Sequence, residues 1–269
     1  MLCLVLAFVG YRVYVRVHPY LLGSGCAVRT EQGSLALDIE QAANAATVAA
    51  VGVGERVPRR AVTIALATAF QESHLRNLTY GDRDSVGLFQ QRPSQGWGTT
   101  KNLLDPVYSS RRFYRALLEV DGYRELPVHE AAQRVQRSAD GSAYAKHETR
   151  AMLLTKALTG RIPAAVHCWY PEQRPDRTVD AFGELSRSFG VVAASAGGVG
   201  AMPDGDEAKQ VSVPNERRGW TVAAWMVTHA YEYGIPRVLF GGYAWTADAG
   251  HDGWRETPAH TPARSVRVS

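Results

Sequence analysis

Glu72 closes the most hydrophobic stretch of the chain, the run AVTIALATAF that starts at Ala61, and Ser73 comes directly after it. A carboxyl at the C-terminal end of a buried helix faces the negative end of the helix dipole. Apolar surroundings disfavour its charge further. Both effects favour the protonated form near neutral pH, the property a general acid requires. The ordinary alternative is a solvated glutamate in a last helical turn. The segment from Gly81 to Gln91 shifts the balance: it reads GDRDSVGLFQQ, a polar turn and short apolar piece that could hold a substrate across the carboxyl. A calcium loop is a competing reading, because Asp82, Asp84 and Gly87 occupy its first, third and sixth positions. Val86 at the fifth position and Pro93 at the twelfth leave too few oxygen ligands, so no metal is expected.

Positioning Glu72 requires helices. Leu35 to Val51 is Ala-rich and unbroken and reads as a helix ended by Gly52 and Gly54; Pro58 suits the first turn of the next. That second helix, Arg59 to about Ser73, is apolar on nearly every face after its first turn, the pattern of a buried helix. The cluster Gly81 to Ser85 reads as a turn, and Val86 to Gln90 as a short strand. Three further helices are expected at Asp105 to Val120, Pro127 to Ser138 and Ser142 to Thr159, the first opened by Asp105 as cap and Pro106 in its first turn. Beyond Cys168 the texture changes. Residues 171–215 are charged, then small and Gly-rich, a linker composition. From Arg217 an amphipathic helix resumes, with Trp220, Ala223, Ala224, Val227 and Tyr231 on one stripe. RVLFGGYAWT then reads as a strand kinked at Gly-Gly, completing a small α/β module over residues 216–257, with a tail at 258–269. The fold class expected is α+β, mostly helical, with a main domain over residues 26–170.

At 269 residues, 45% hydrophobic and 21% charged, the chain reads as globular. Its net charge of +4 suits an anionic surface, but no stripe of basic and aromatic residues points to nucleic acid. No Gly-rich phosphate loop or serine-hydrolase signature occurs, and no cofactor is expected. Leu2 to Val9 is an uninterrupted apolar run, yet Arg12 and Arg16 break its continuation short of a full span. Residues 1–25 therefore read as a membrane anchor or signal-like segment, with an ordinary buried helix as the alternative. Cys26 and Cys168 bracket the segment that holds these motifs. Two cysteines closing a domain form a disulfide in an oxidising compartment, or else are two unrelated buried thiols.

The pattern of a buried helix ending in Gln-Glu-Ser, with Gly-Leu-Phe-Gln beginning fifteen residues after the glutamate, resembles the lysozyme-like superfamily. More narrowly it is similar to the lytic transglycosylase and goose-type lysozyme branch, and to actinobacterial wall-associated proteins that carry GDRDS, GLFQQRPSQGWG and a later AAQ, VQRS and AYAKH. The resemblance covers about residues 26 to 168. It implies a lysozyme-like domain with a small β-hairpin, Glu72 as catalytic acid and Ser73 as the neighbour that hydrogen-bonds and orients it. It further implies that Gly87, Leu88, Phe89 and Gln90 form the strand that holds an acetamido sugar. The family's later Ala-Tyr-Asn motif is replaced here by AAQRVQRSADGSAYAKH, which leaves Gln136, Ser138 and Tyr144 as substitutes, Tyr144 being the substrate-binding choice. Trp97, set between glycines, could stack on a sugar or plug the core.

Cleaving a glycosidic bond by the usual route takes an acid and a second carboxylate. Asp82, Asp84 and Asp105 are candidates, although the two turn aspartates read as turn-formers. With no second carboxylate, one glutamate acts as acid and then as base, drawing a proton from the sugar's own 6-hydroxyl and leaving a 1,6-anhydro product. The resemblance favours this route, on peptidoglycan glycan strands, in a secreted or membrane-anchored wall enzyme. The C-terminal module would bind wall polymer or protein. The reading from a different class is a wall-binding scaffold that keeps the fold without turnover.

Overall fold

The computed structural model describes residues 10, 14, 23–31, 33–137, 142–170, 172, 174–190, 196–201, 207–257 and 264–269. Most of the segment expected as an anchor lies outside the described residues, and no helix among the described residues is long and apolar enough to cross a membrane. The architecture is α+β: helices gathered round one core, flanked by two antiparallel sheets.

Strands β1 (Gly25–Thr30) and β2 (Gly33–Leu37) open the chain as a hairpin. Helix α1 (Ile39–Gly54) then starts at Asp38, whose carboxylate accepts from the Gln41 N–H while the Gln41 side chain accepts from the Asp38 N–H. This reciprocal cap corrects the expected helix start: Leu35 to Leu37 belong to β2, because the capping box fixes the boundary at residue 38. Helix α2 (Arg59–Ser73) is buried from Ala61 through Phe70, as its all-round apolar sequence demands. After the short α3 (Thr100–Leu103) comes α4 (Pro106–Leu118), with Asp105 accepting from the Val107 and Tyr108 N–H groups. Helix α5 (Val128–Gln136) is next. The single helix expected over Ser142 to Thr159 is two, α6 (Ser142–Ala145) and α7 (Glu148–Leu158), separated at Lys146 and His147.

Strand β3 (Val166–Trp169) returns beside β1, placing Cys168 opposite Cys26, and the two are joined by a disulfide. The stretch expected as linker holds α8 (Thr178–Phe189), whose Ala181, Phe182, Leu185 and Phe189 are buried at helical spacing. It also holds β4 (Ala196–Ala201) and β5 (Glu207–Ser212). Helix α9 (Glu216–Tyr233) precedes β6 (Arg237–Phe240) and β7 (Tyr243–Thr246). The Gly-Gly pair is not a kink in one strand. Gly241 and Gly242 have φ of 60° and 82°, the two positive values a two-residue hairpin turn requires, so β6 and β7 pair across them. With β8 (Arg255–Glu256) and β9 (Ser265–Val268) these strands form a six-stranded sheet in the order β4-β5-β9-β6-β7-β8.

The two ends of the chain share that one core. Helix α9 is buried along most of its length, and its His229 meets Thr47 of α1 at 3.1 Å. The indoles of Trp245 and Trp254 donate to the carbonyls of Cys168 and Val166 on β3, at 2.9 and 2.8 Å. Gly250 lies against the same strand: a Cβ there would come within 1.8 Å of the Cys168 carbonyl oxygen.

Candidate active site

Helix α2 delivers Glu72 half-buried in its last turn, and the chain leaves the helix through two successive left-handed residues, His74 (φ 53°) and Leu75 (φ 62°). A left-handed leucine with a fully buried side chain is unfavourable by itself. Two amides of α1 hold it there: Gln41 donates to the His74 carbonyl and Asn44 to the Leu75 carbonyl, at 2.9 and 2.8 Å. Arg76 is then bridged to Asp38 and Glu40 at the start of α1. The exit from α2 is thus fixed by the helix beside it.

Glu72 is met by Tyr144. The phenol, buried on the short helix α6, donates to Glu72 Oε1 at 2.6 Å across 72 residues of sequence. The neighbouring Gln71 side chain meets His147 Nε2 at 3.2 Å, and His147 stacks on Phe70 with ring centroids 5.7 Å apart. His147 is held neutral: burial, with Arg150 and Lys146 nearby, lowers its pKa to about 4. Helix α6 and its connection to α7 therefore grip the last turn of α2 at two consecutive residues, Glu72 and Gln71.

Ser73 does something other than orient its neighbour. Its hydroxyl is placed against the Ala69 carbonyl at 3.1 Å and the Leu88 carbonyl at 2.8 Å, so it anchors the polar turn to the helix. That turn is also not the expected strand. Gly87 and Gln90 take φ of 79° and 45°, and the chain reverses between Val86 and Gln91, which pair as an isolated antiparallel bridge. Leu88 and Phe89 are fully buried, with Phe89 stacked on Phe113 at 4.6 Å, so their side chains serve the core. The Gln90 amide is engaged inside the turn, accepting from Ser85 at 3.0 Å and donating towards the Gly87 and Tyr80 carbonyls. Gly87 is packed too closely for any side chain: a Cβ would lie 2.4 Å from the Leu103 carbonyl oxygen. Gln136, at the end of α5, donates to the Phe89 carbonyl at 2.7 Å, while Ser138 lies outside the described residues. Glu72, Ser73, the turn and Tyr144 are thus brought together, with Gln136 as a further brace.

The nearby aspartates are committed elsewhere. Asp84 accepts from Arg92 Nε, the Ser94 N–H and the Ser94 hydroxyl at 2.8 to 3.0 Å, which holds its carboxyl far below the usual carboxylate range. Asp105 caps α4 and pairs with Arg187. Asp82 is almost fully exposed beside Arg83. Among the described residues no group of acidic, histidine or cysteine side chains is arranged to hold a metal ion.

Trp97 is half-buried and packs on the core; its carbonyl accepts from Arg112 at 3.1 Å. Its flanking glycines have φ of 78° and 141°, and Gly98 admits no side chain, since a Cβ there would lie 2.6 Å from the Tyr108 hydroxyl. It lines a cleft of about 530 Å³ together with Arg112, Arg115, Arg134 and Arg137. Two further clefts, of about 290 and 590 Å³, open elsewhere, and Glu72 lines none of the three. One exposed aromatic was not singled out from the sequence: Tyr80 is 72% exposed at the start of the Gly81–Ser85 turn, and its carbonyl receives the Gln90 amide. An aromatic directly before a Gly-Asp turn was the available signal.

No protein-family model matches the chain, and no curated protein matches it significantly.

Proposed function

We propose that the chain is a peptidoglycan-cleaving glycosidase of the lytic transglycosylase type, with a lysozyme-like domain and Glu72 as its single acid and base. The observation that carries this reading is the 2.6 Å hydrogen bond from the buried Tyr144 phenol to the Glu72 carboxyl. It fixes one carboxyl oxygen and leaves the other for a substrate, which is how a half-buried acid is pre-oriented. Glu72 gives its proton to the glycosidic oxygen, the C1–O bond breaks, and the sugar carries the developing positive charge at C1. The carboxylate then takes the proton of that sugar's 6-hydroxyl while O6 bonds to C1, which closes a 1,6-anhydro ring and restores the acid. The commitment of Asp84 and Asp105 to an ion-pair network and a helix cap supports a route without a second carboxylate. The disulfide between Cys26 and Cys168 suits an extracytoplasmic, secreted or membrane-anchored protein.

Purified glycan strands digested with wild type and Glu72→Gln, with products read by mass spectrometry, test the reading. Loss of rate by roughly 10² to 10⁴ in Glu72→Gln is expected, with 1,6-anhydro ends from wild type. Equal activity in both proteins overturns the assignment, and reducing ends in place of anhydro ends make the enzyme a hydrolase.

A wall-binding scaffold without turnover is the second reading. It is favoured by the inward-turned Leu88, Phe89 and Gln90 side chains, which leave mainly backbone for sugar recognition. Binding to sacculi with no soluble fragment released would select it.

A further inference from the structure

On a different part of the surface, five arginines converge on one cleft. Arg56 lies just past the end of α1, Arg59 opens α2, Arg161 lies just past α7, and Arg217 and Arg218 lie in the first turn of α9; all five line a cleft of about 290 Å³ with no acidic side chain among its lining residues. None of the five forms an ion pair among the described residues. Arg218 Nη1 is buried there without a hydrogen-bond partner, although the side chain packs over the Phe189 ring at 5.8 Å. A guanidinium nitrogen buried with nothing to donate to is unfavourable unless something else occupies the site.

The arrangement is rigid. A Cβ at Gly160, with φ of 68°, would come within 2.0 Å of the Arg217 carbonyl oxygen, so the end of α7 and the start of α9 are in backbone contact. Asn215 caps α9 by accepting from the Arg218 N–H, and α2 begins at Arg59 with no side-chain cap. Two helices start at this cleft and two, α1 and α7, end there, so their dipoles oppose one another and the positive field is that of the guanidiniums. Burial and the neighbouring Arg217 and Arg56 charges push the Arg218 pKa down from its ordinary value, the mark of positive charge crowded without a counter-charge.

We propose that this cleft binds a phosphate-bearing anion, through bidentate contacts from several arginines to a phosphate or diphosphate group. Planar guanidiniums match phosphate oxygens in pairs. The volume is at the small end for ligand clefts, which fits a diphosphate-sized group. The site is independent of Glu72 and of the reaction assigned to it. Its phosphate could be free or polymer-borne, or could belong to a lipid headgroup.

The experiment uses the full chain. Inorganic pyrophosphate is titrated by calorimetry at constant ionic strength, and cosedimentation is measured with vesicles of phosphatidylcholine alone or containing phosphatidic acid. Saturable binding is expected in at least one arm, weakened about tenfold or more by Arg161→Gln/Arg217→Gln, two exposed positions chosen to spare folding. Arg115→Gln/Arg134→Gln, which removes the same charge from the Trp97 cleft, is expected to leave it unchanged. Pyrophosphate binding lost in the first variant supports a free or polymer-borne phosphate; vesicle binding alone, lost in the same variant, supports a lipid headgroup. No saturable binding in either arm, or equal weakening in both double variants, overturns the proposal.

Discussion

Tyr144 and Glu72 meet through a single hydrogen bond, and the role assigned to it can be measured at that bond. Tyr144→Phe keeps the ring and removes the donor, so kcat is expected to fall about 10- to 100-fold with little change in KM, as befits a group that positions the acid without holding sugar. A larger effect on KM than on kcat would move Tyr144 into sugar binding. Tyr80→Ala, by contrast, should leave the thermal midpoint unchanged, because the side chain is exposed, and a rise in KM in that variant would be the sign that the ring meets the sugar. The position of Glu72 at the end of a buried helix was readable in the apolar run before it. Its partner was not, since nothing local ties residue 144 to residue 72, and Tyr144 stood out only as one of several substitutes for a missing motif. Ser73 was readable as an important neighbour but not as an anchor for the Leu88 carbonyl, because a serine's partner is chosen by a turn fifteen residues away.

Between α2 and the polar turn, the element that matters is the turn itself. Ser73→Ala strands the Leu88 carbonyl and is expected to cost about 1–3 kcal/mol of stability, measured by urea unfolding. Gly87→Ala must force apart the turn and the end of α3 while adopting a left-handed conformation, so a comparable or larger loss is expected, together with loss of glycan cleavage. Helices α2 and α4 were legible because their ends carry their own signals: Pro58 before α2, Asp105-Pro106 before α4. Strand β2 was hidden by the Ala-rich helix after it, although Asp38 and Gln41 carried the capping-box signal. The Val86–Gln91 turn reads as a strand because Val-Gly-Leu-Phe-Gln is apolar and short; what makes it a reversal is the positive φ of Gln90, which no propensity for glutamine predicts.

Across the whole molecule, the ends of the chain cooperate in one fold. The disulfide closes a loop of 142 residues, for which chain entropy suggests about 4–5 kcal/mol, so reduction is expected to lower the thermal midpoint markedly. Acid should weaken the fold through buried histidines. Burial lowers His147, His167 and His229 from 6.5 to about 4, so each is neutral in the native state and takes up a proton more readily once unfolded. Their stability contribution is complete above about pH 6.5 and declines as the pH falls towards 4, by at most about 1.4 kcal/mol per pH unit for each. Unfolding midpoints in urea at pH 7.5 and 5.0 should show this, with a flatter slope for His229→Gln. The shared core was the least legible feature, because Gly-rich composition around residue 195 reads as a spacer whether or not α8 packs before it. The α8 stripe of Ala181, Phe182, Leu185 and Phe189 was nonetheless present in the sequence. The indoles of Trp245 and Trp254 have a consequence of their own. Strand β3 borders its sheet, and its outward carbonyls at Val166 and Cys168 would otherwise invite a strand from another molecule. By occupying them, the C-terminal tryptophans cover an edge that another strand could otherwise extend, and Trp254→Phe, which frees the Val166 carbonyl and leaves every strand in place, should raise aggregation measured by light scattering.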